Sequence, residues 1–405
     1  MNRQQTIYSR SLTSMQDLPD ELLLQIGSHF VHLNRNSDLA RLAFVSRKCR
    51  NVAQEWLLKI PRFNLTHIDK YLWELAHHEY LQPQIRSLEI WSKSENRLPR
   101  DGKGRIIREY RPIPAPNTWN PKFVDKCNEI IEHFALDNKS KSKWAIALQN
   151  DCIPALLGVL ICVLPNLKQL KLGNTWLLDF PMFSDMLSGG NASRMLPWGH
   201  ESTFMEGQLQ LLLQKLEYLD VSADMSCTWF HSRVTTTVFT FVNIKNLKEI
   251  GVTMRALWWR PSWGRWLTDP REIFPGTLEV VRISEANDWT LYFLGCLCIA
   301  RKGGHFPGLR RVELYFMESF EAMEYTWDEV HDMQRMCKQA EISLYIYFPA
   351  HELKTWEVGC APWSLREDRQ AFQAFREPTV LRYKALLKTD VEAEFEMDGD
   401  AIMQV

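Results

Sequence analysis

The chain has 405 residues with 48 basic and 49 acidic side chains, a formal net charge of −1. Apolar residues make up 45% and charged ones 24%, the balance of a folded chain, which excludes disordered and fibrous classes. A charge this close to zero argues against nucleic-acid binding over the whole surface. At ~150 residues per domain, the length predicts two or three domains, or one domain with a repeat array.

Residues 1–16 are polar and lack an apolar core, so no secretory leader is expected. The longest apolar run, 153–164, is interrupted by Pro154 and Gly158 and is too short to span a bilayer. It predicts a buried helix, and no membrane association is expected. Nine cysteines lie scattered without framework spacing, which predicts reduced thiols in the cytoplasm, the nucleus or both.

Asp17-Leu18-Pro19-Asp20-Glu21-Leu22-Leu23 predicts a helix start, with Pro19 in the first turn and acids at the positive end of the dipole. Leu22, Ile26 and Phe30 follow at i, i+4 and i+8. Asn36 and Ser37 are candidate caps of a second helix with Leu39, Leu42 and Ala43. Ser46 caps a third, in which Cys49, Val52, Ala53, Trp56 and Leu57 share a face. Residues 15–60 thus read as three short helices, a unit small enough to be marginal alone and expected to dock on a partner or on the rest of the chain.

These residues resemble the F-box. The matching blocks are Leu18-Pro19-Asp20-Glu21-Leu22-Leu23, Ile26, Asp38-Leu39-Ala40-Arg41-Leu42, Val45-Ser46-Arg47-Lys48-Cys49-Arg50 and Trp56. The resemblance implies binding to a Skp-family adaptor and, through it, to the cullin and RING subunits of a ubiquitin ligase. It divides Leu18, Pro19, Leu22, Ile26, Leu39, Val45 and Trp56 between adaptor contact and internal core. Gly27 stands where the family usually carries a bulky apolar residue, and the link 31–37 is long. Both departures predict a looser first helix.

The rest of the chain repeats. A helix at 61–82 is expected from Ile68, Tyr71, Leu72 and Leu75. Aliphatic-x-x-aliphatic-x-aliphatic then recurs at Ile85/Leu88/Ile90, Leu167/Leu170/Leu172, Leu216/Leu219/Val221, Leu247/Ile250/Val252, Leu278/Val281/Ile283 and Leu309/Val312/Leu314, with first-position spacings of 82, 49, 31, 31 and 31. A seventh strand is expected at 342–346. Helices are expected between strands, from Pro154, after the capping box at Thr203 and Glu206, over 288–300, and after the box at Thr326 and Glu329. The fold class expected is α/β: parallel strands with outer helices over 83–348, behind a three-helix unit. This array resembles the irregular leucine-rich repeats behind many F-boxes, notably in fungal F-box proteins, although only Asn174 stands near the usual asparagine position.

Residues flanking the last two aliphatics of each strand point to one face. The candidate substrate-binding residues there are Trp91, Lys171, Tyr218, Asp220, Glu249, Arg282, Arg311, Glu313, Tyr315 and Tyr345. Their mixture of aromatics and both charge signs suits a protein partner, although the C-terminal segment or an inserted loop could cover some of them.

Two insertions are expected: 92–121, with seven basic and three acidic residues, and 178–202, with Gly189-Gly190. Residues 349–388 read as a C-terminal cap and 389–405 as an acidic tail. The run containing Trp258, Trp259, Trp263 and Trp266 is either an aromatic-cationic binding site or a loop packed on the array; packing is preferred, because exposed apolar patches are rare without a partner. Cys296 and Cys298 on one helix diverge and lack a second metal-ligand pair, so they read as core. No phosphate-binding glycine loop, nucleophile elbow or zinc-protease motif occurs. No cofactor, metal or activity of its own is expected. The function implied is substrate recognition for an SCF-type ubiquitin ligase. Gly27 motivates a second expectation, an interaction scaffold outside degradation.

Overall fold

This computed structural model describes residues 15–32, 36–91, 120–135, 137–149, 153–173, 206–221, 240–257, 269–287, 289–316, 327–349 and 372–374. Cα packing divides the chain into residues 1–219 and 220–405.

The first unit opens with α1 (Asp20–His32), α2 (Asn36–Leu42) and α3 (Arg47–Lys59). Ser46 is extended, and its hydroxyl accepts the Cys49 N–H at 3.1 Å, which caps α3. Leu23, Leu42, Cys49, Val52 and Ala53 form the core of the three helices, with Leu18, Ile26, Phe30 and Trp56 half-buried around it. Toward the end of α3 the buried position is Leu58, whereas Leu57 is half-buried.

The segment expected to be purely helical begins with a strand, β1 (Arg62–Asn64), before α4 (Ile68–His77). All four apolar residues of the predicted helical face are buried. The Tyr71 ring stacks on Phe63, with centroids 4.8 Å apart, and its hydroxyl donates to the Leu58 carbonyl at 2.9 Å. Burial pushes that phenol above its ordinary value. The three-helix unit is therefore docked on its own chain.

β2 (Ser87–Trp91) pairs in parallel with β1 and with β3 (Gln169–Gly173), with Arg62 beside Glu89 and Glu89 beside Lys171. Among the described residues, three helices lie between β2 and β3 in the chain: α5 (Pro121–Phe134), α6 (Asn138–Gln149) and α7 (Ile153–Cys162). Pro121 was expected to end an insertion; it starts α5, whose cap is the Asn120 side-chain oxygen Oδ1 accepting from the Lys122 N–H at 3.1 Å. Trp144 of α6 is wholly buried, and its Nε1 donates to the Ala155 carbonyl at 3.0 Å. α8 (Glu206–Lys215) and β4 (Tyr218–Asp220) follow.

The second unit contains β5 (Glu249–Thr253), α9 (Met254–Leu257), α10 (Pro270–Ile273), β6 (Val280–Ala286), α11 (Trp289–Lys302), β7 (Arg311–Phe316), α12 (Trp327–Gln339), β8 (Ser343–Pro349) and β9 (Phe372–Ala374). β5 to β8 pair in parallel and in chain order, and β9 pairs antiparallel to β8. Both units are thus α/β with parallel strands alternating with helices. Every one of the eighteen repeated aliphatics is buried, because period-two alternation places them together on the covered face. One carbonyl before each of β2, β3, β5 and β6 receives two N–H groups from the next strand segment: Arg86 from Lys168 and Gln169, Lys168 from Glu217 and Tyr218, Lys248 from Glu279 and Val280, Glu279 from Arg310 and Arg311.

The helix α11 ends as Gly303-Gly304 predicts. Gly304 has φ +81, its N–H reaches the Arg301 carbonyl at 3.0 Å, and the His305 N–H reaches the Ala300 carbonyl at 3.0 Å. No helix among the described residues is long and apolar enough to cross a membrane. Asn174, Trp258, Trp259, Trp263, Trp266, residues 178–202 and residues 389–405 lie outside the described residues.

Candidate recognition surfaces

Three surfaces emerge, one on the helices and one on the strand face of each unit. On the helices, Leu22 is 45%, Val45 53% and Phe44 84% exposed, and Pro19 is exposed beside them in sequence. Lys48 brings the two chain segments together. Its Nζ binds the Leu18 carbonyl at 2.5 Å and Asp20 Oδ1 at 3.0 Å, so the start of α1 sits against the start of α3. Leu39 does not belong to this surface. It is wholly buried, because the α2 face carrying it turns inward. Ile26 and Leu18 are half-buried against the core, and Trp56 is half-buried with its Nε1 donating to the Leu24 carbonyl at 2.9 Å. Phe44 was not foreseen as a surface residue; its place in the turn before Ser46, off any helical face, is the sequence signal for it.

On the strand face of the first unit, Arg62 Nε meets Glu89 Oε1 at 2.8 Å, and Lys171 Nζ lies 4.0 Å from Glu89 Oε2. Arg62 lies over the Trp91 ring at 5.7 Å, and Lys171 over the Tyr218 ring at 5.7 Å. Arg62 was missed from sequence because a three-residue strand has too little alternation to read.

In the second unit the same face carries a denser network. Arg282 NH1 binds Glu249 Oε2 at 2.9 Å, and Arg282 Nε lies 3.5 Å from Glu313 Oε2. Arg311 also pairs with Glu313, and the Tyr315 hydroxyl donates to Glu313 Oε2 at 2.5 Å. Register places Gly251, Arg282, Glu313 and Tyr345 side by side across four strands. Arg311 lies over the Tyr345 ring at 4.8 Å, and Tyr345 is 44% exposed.

Three expected surface residues are instead enclosed. Asp220, Glu313 and Tyr315 are buried. Tyr315 is covered by Tyr347, stacked at 4.8 Å, and by Phe372 of β9, edge-on at 5.5 Å. Glu313 is enclosed by two arginines that balance its charge and by the tyrosine hydroxyl that donates to it, the arrangement a buried carboxylate requires. Glu249, Arg282, Arg311, Ser343 and Tyr345 of this face reach solvent.

Among the described residues, no group of three or more histidine, cysteine or acidic side chains is placed to hold a metal ion. Comparison of the chain with protein-family models, with curated proteins and with solved structures finds no match.

Proposed function

We propose that the protein is the substrate-recognition subunit of an SCF-type ubiquitin ligase, with residues 15–60 docking on a Skp-family adaptor and the strand face holding a protein substrate. The observation that carries this reading is the apolar end of the three-helix unit. Pro19, Leu22, Phe44 and Val45 are exposed there although the unit has its own core and is already docked through α3 on α4. Exposed apolar groups of this kind, on chain segments that Lys48 ties together, are the makings of a binding surface. The F-box resemblance supplies the partner, and Leu18, Ile26, Leu39 and Trp56 then serve the unit's interior.

Gly27 fits this reading. A Cβ at Gly27 would lie 2.5 Å from Trp56 Cδ1, so glycine lets α3 close on α1. The departure that predicted a loose first helix is a packing adaptation between two helices.

The strand face of the second unit supports the substrate role. It offers an arginine and a tyrosine, both residue types that dominate protein interfaces, held rigid by a buried carboxylate. The test replaces Leu22 and Val45 with glutamate in the full chain and measures adaptor capture by purified Skp-family protein. Capture is expected to fall at least tenfold with the circular-dichroism melt unchanged. Undiminished capture, or none by the unaltered chain, would sink the ligase reading.

A further inference from the structure

Two cysteines from different helices meet inside the second unit. Cys298 of α11 and Cys337 of α12 are both buried, with their sulfurs 3.8 Å apart in hydrogen-bond contact and separated by 39 residues of chain. The helices approach closely along this seam: a Cβ added to Gly295, one turn before Cys298, would lie 3.9 Å from Met336 Sδ. The six described cysteines are all free thiols, and this is the sulfur–sulfur contact recorded among them. A disulfide needs sulfurs ~2.05 Å apart, so a closing movement of ~1.8 Å would join them.

We propose that Cys298 and Cys337 form a two-thiol modification site, closed to a disulfide by a hydroperoxide and reopened by an external dithiol, that locks α11 to α12. The inference is independent of the ligase reading.

The two thiols are not equivalent. The hydrogen bond with Cys337 holds the Cys298 thiol below its ordinary value, and the Lys302 ammonium one turn on acts in the same direction against the effect of burial. The same contact, together with burial, holds Cys337 above its ordinary value. Cys298 is therefore the nucleophile. Its thiolate attacks the terminal oxygen of the hydroperoxide; the O–O bond breaks, an S–O bond forms, and the departing alkoxide or hydroxide takes a proton to leave as alcohol or water. The Cys337 sulfur then attacks the Cys298 sulfenic acid. The S–O bond breaks, the S–S bond forms, and hydroxide leaves with the Cys337 proton as water. Two thiols lose two electrons and two hydrogens in all, and the hydroperoxide is reduced. Cys296, on the same helix but partly open to solvent, diverges from the pair, and burial raises its thiol above the ordinary value. It is the built-in control.

The experiment treats the purified full chain with hydrogen peroxide, blocks remaining thiols with N-ethylmaleimide, and digests it for mass spectrometry. The expected product is a cross-linked peptide pair containing Cys298 and Cys337, lighter by two hydrogens and abolished by dithiothreitol. The oxidised protein is expected to melt roughly 5–10 °C higher, because the cross-link constrains a loop of 39 residues. Cys296→Ser keeps both effects, and Cys298→Ser or Cys337→Ser loses both. If either buried substitution unfolds the chain, phenylarsine oxide, a reagent that bridges paired thiols, replaces it: protection of Cys298 and Cys337 together from alkylation supports the pair. Oxidation that joins Cys296 to another cysteine, or that leaves Cys298 and Cys337 separately alkylated, overturns the proposal.

Discussion

Gly27 shows how one missing side chain decides a helix contact. The Trp56 ring occupies the space a Cβ would take, with Cδ1 at 2.5 Å and Nε1 at 2.8 Å. The same indole nitrogen holds the Leu24 carbonyl, so the ring cannot swing away without breaking a bond. Gly27→Ala is expected to destabilise the unit by about 1–3 kcal/mol despite alanine's better helix propensity, and Trp56→Ala placed in the same chain should remove most of that penalty. Thermal melts of the four proteins of that cycle check it. Glu341 offers the opposite case. It sits at φ +59 just past α12, where the Ile342 N–H reaches the Cys337 carbonyl at 2.9 Å, the same cap that Gly304 supplies for α11. A β-carbon in this left-handed conformation costs energy, so Glu341→Gly is expected to raise stability by about 1 kcal/mol, read as a higher urea midpoint at constant slope.

Among elements, β7 carries the greatest burden. Its Glu313 neutralises Arg282 from β6 and Arg311 from its own strand, while its Tyr315 supports the carboxylate and stacks under Tyr347 of β8. Tyr315→Phe keeps the ring and loses one charge-assisted hydrogen bond, an expected loss of about 1.5–3 kcal/mol. Glu313→Ala strips Arg311 of its carboxylate and leaves Arg282 with Glu249 alone, and is expected to cost about 3–5 kcal/mol. Denaturant titration of both variants separates the two effects, and a larger loss for the tyrosine variant would contradict the assignment. The strands themselves were legible: leucine, isoleucine and valine at fixed offsets need burial on one face, and all eighteen found it. What covers Tyr315 was not legible, because Phe372 arrives from a strand far along the chain whose three residues carry no periodic signal. α5 was legible but unread. Asn120, Pro121 and the buried series Phe123, Cys127 and Ile131 state a cap and a face, hidden by the basic residues just before them.

Over the whole molecule, the three-helix unit is not self-sufficient. Leu58 and Tyr71 are joined across α3 and α4, and Gln54 donates to Glu74 at 2.9 Å on the same seam. A fragment of residues 1–60 is therefore expected to melt broadly, and one of residues 1–219 cooperatively, as followed by circular dichroism. The apolar end around Leu22 and Phe44 lay partly within reach of sequence, since the F-box resemblance named Leu22 and Val45. It could not assign Leu39 to the interior, because a leucine on a seven-residue helix has no periodicity long enough to show which face turns inward. The partnership of Cys298 with Cys337 had no local signal at all, since it arises from the pitch of two successive repeats.

The shared carbonyls before β2, β3, β5 and β6 set the spacing of the ladder independently of what the chain does in between. Arg86 and Lys248 use the same bifurcated bond, yet the interval that follows Ile85 in sequence is 82 residues and the one that follows Leu247 is 31. Register from Ser87 to Trp91 survives the longer detour unbroken. For a protein engineer this makes the β2-to-β3 connection the natural port for grafted cargo: a reporter domain spliced within residues 92–119 lengthens a path that the hydrogen-bonded steps do not measure, and both neighbouring strands should keep their seats.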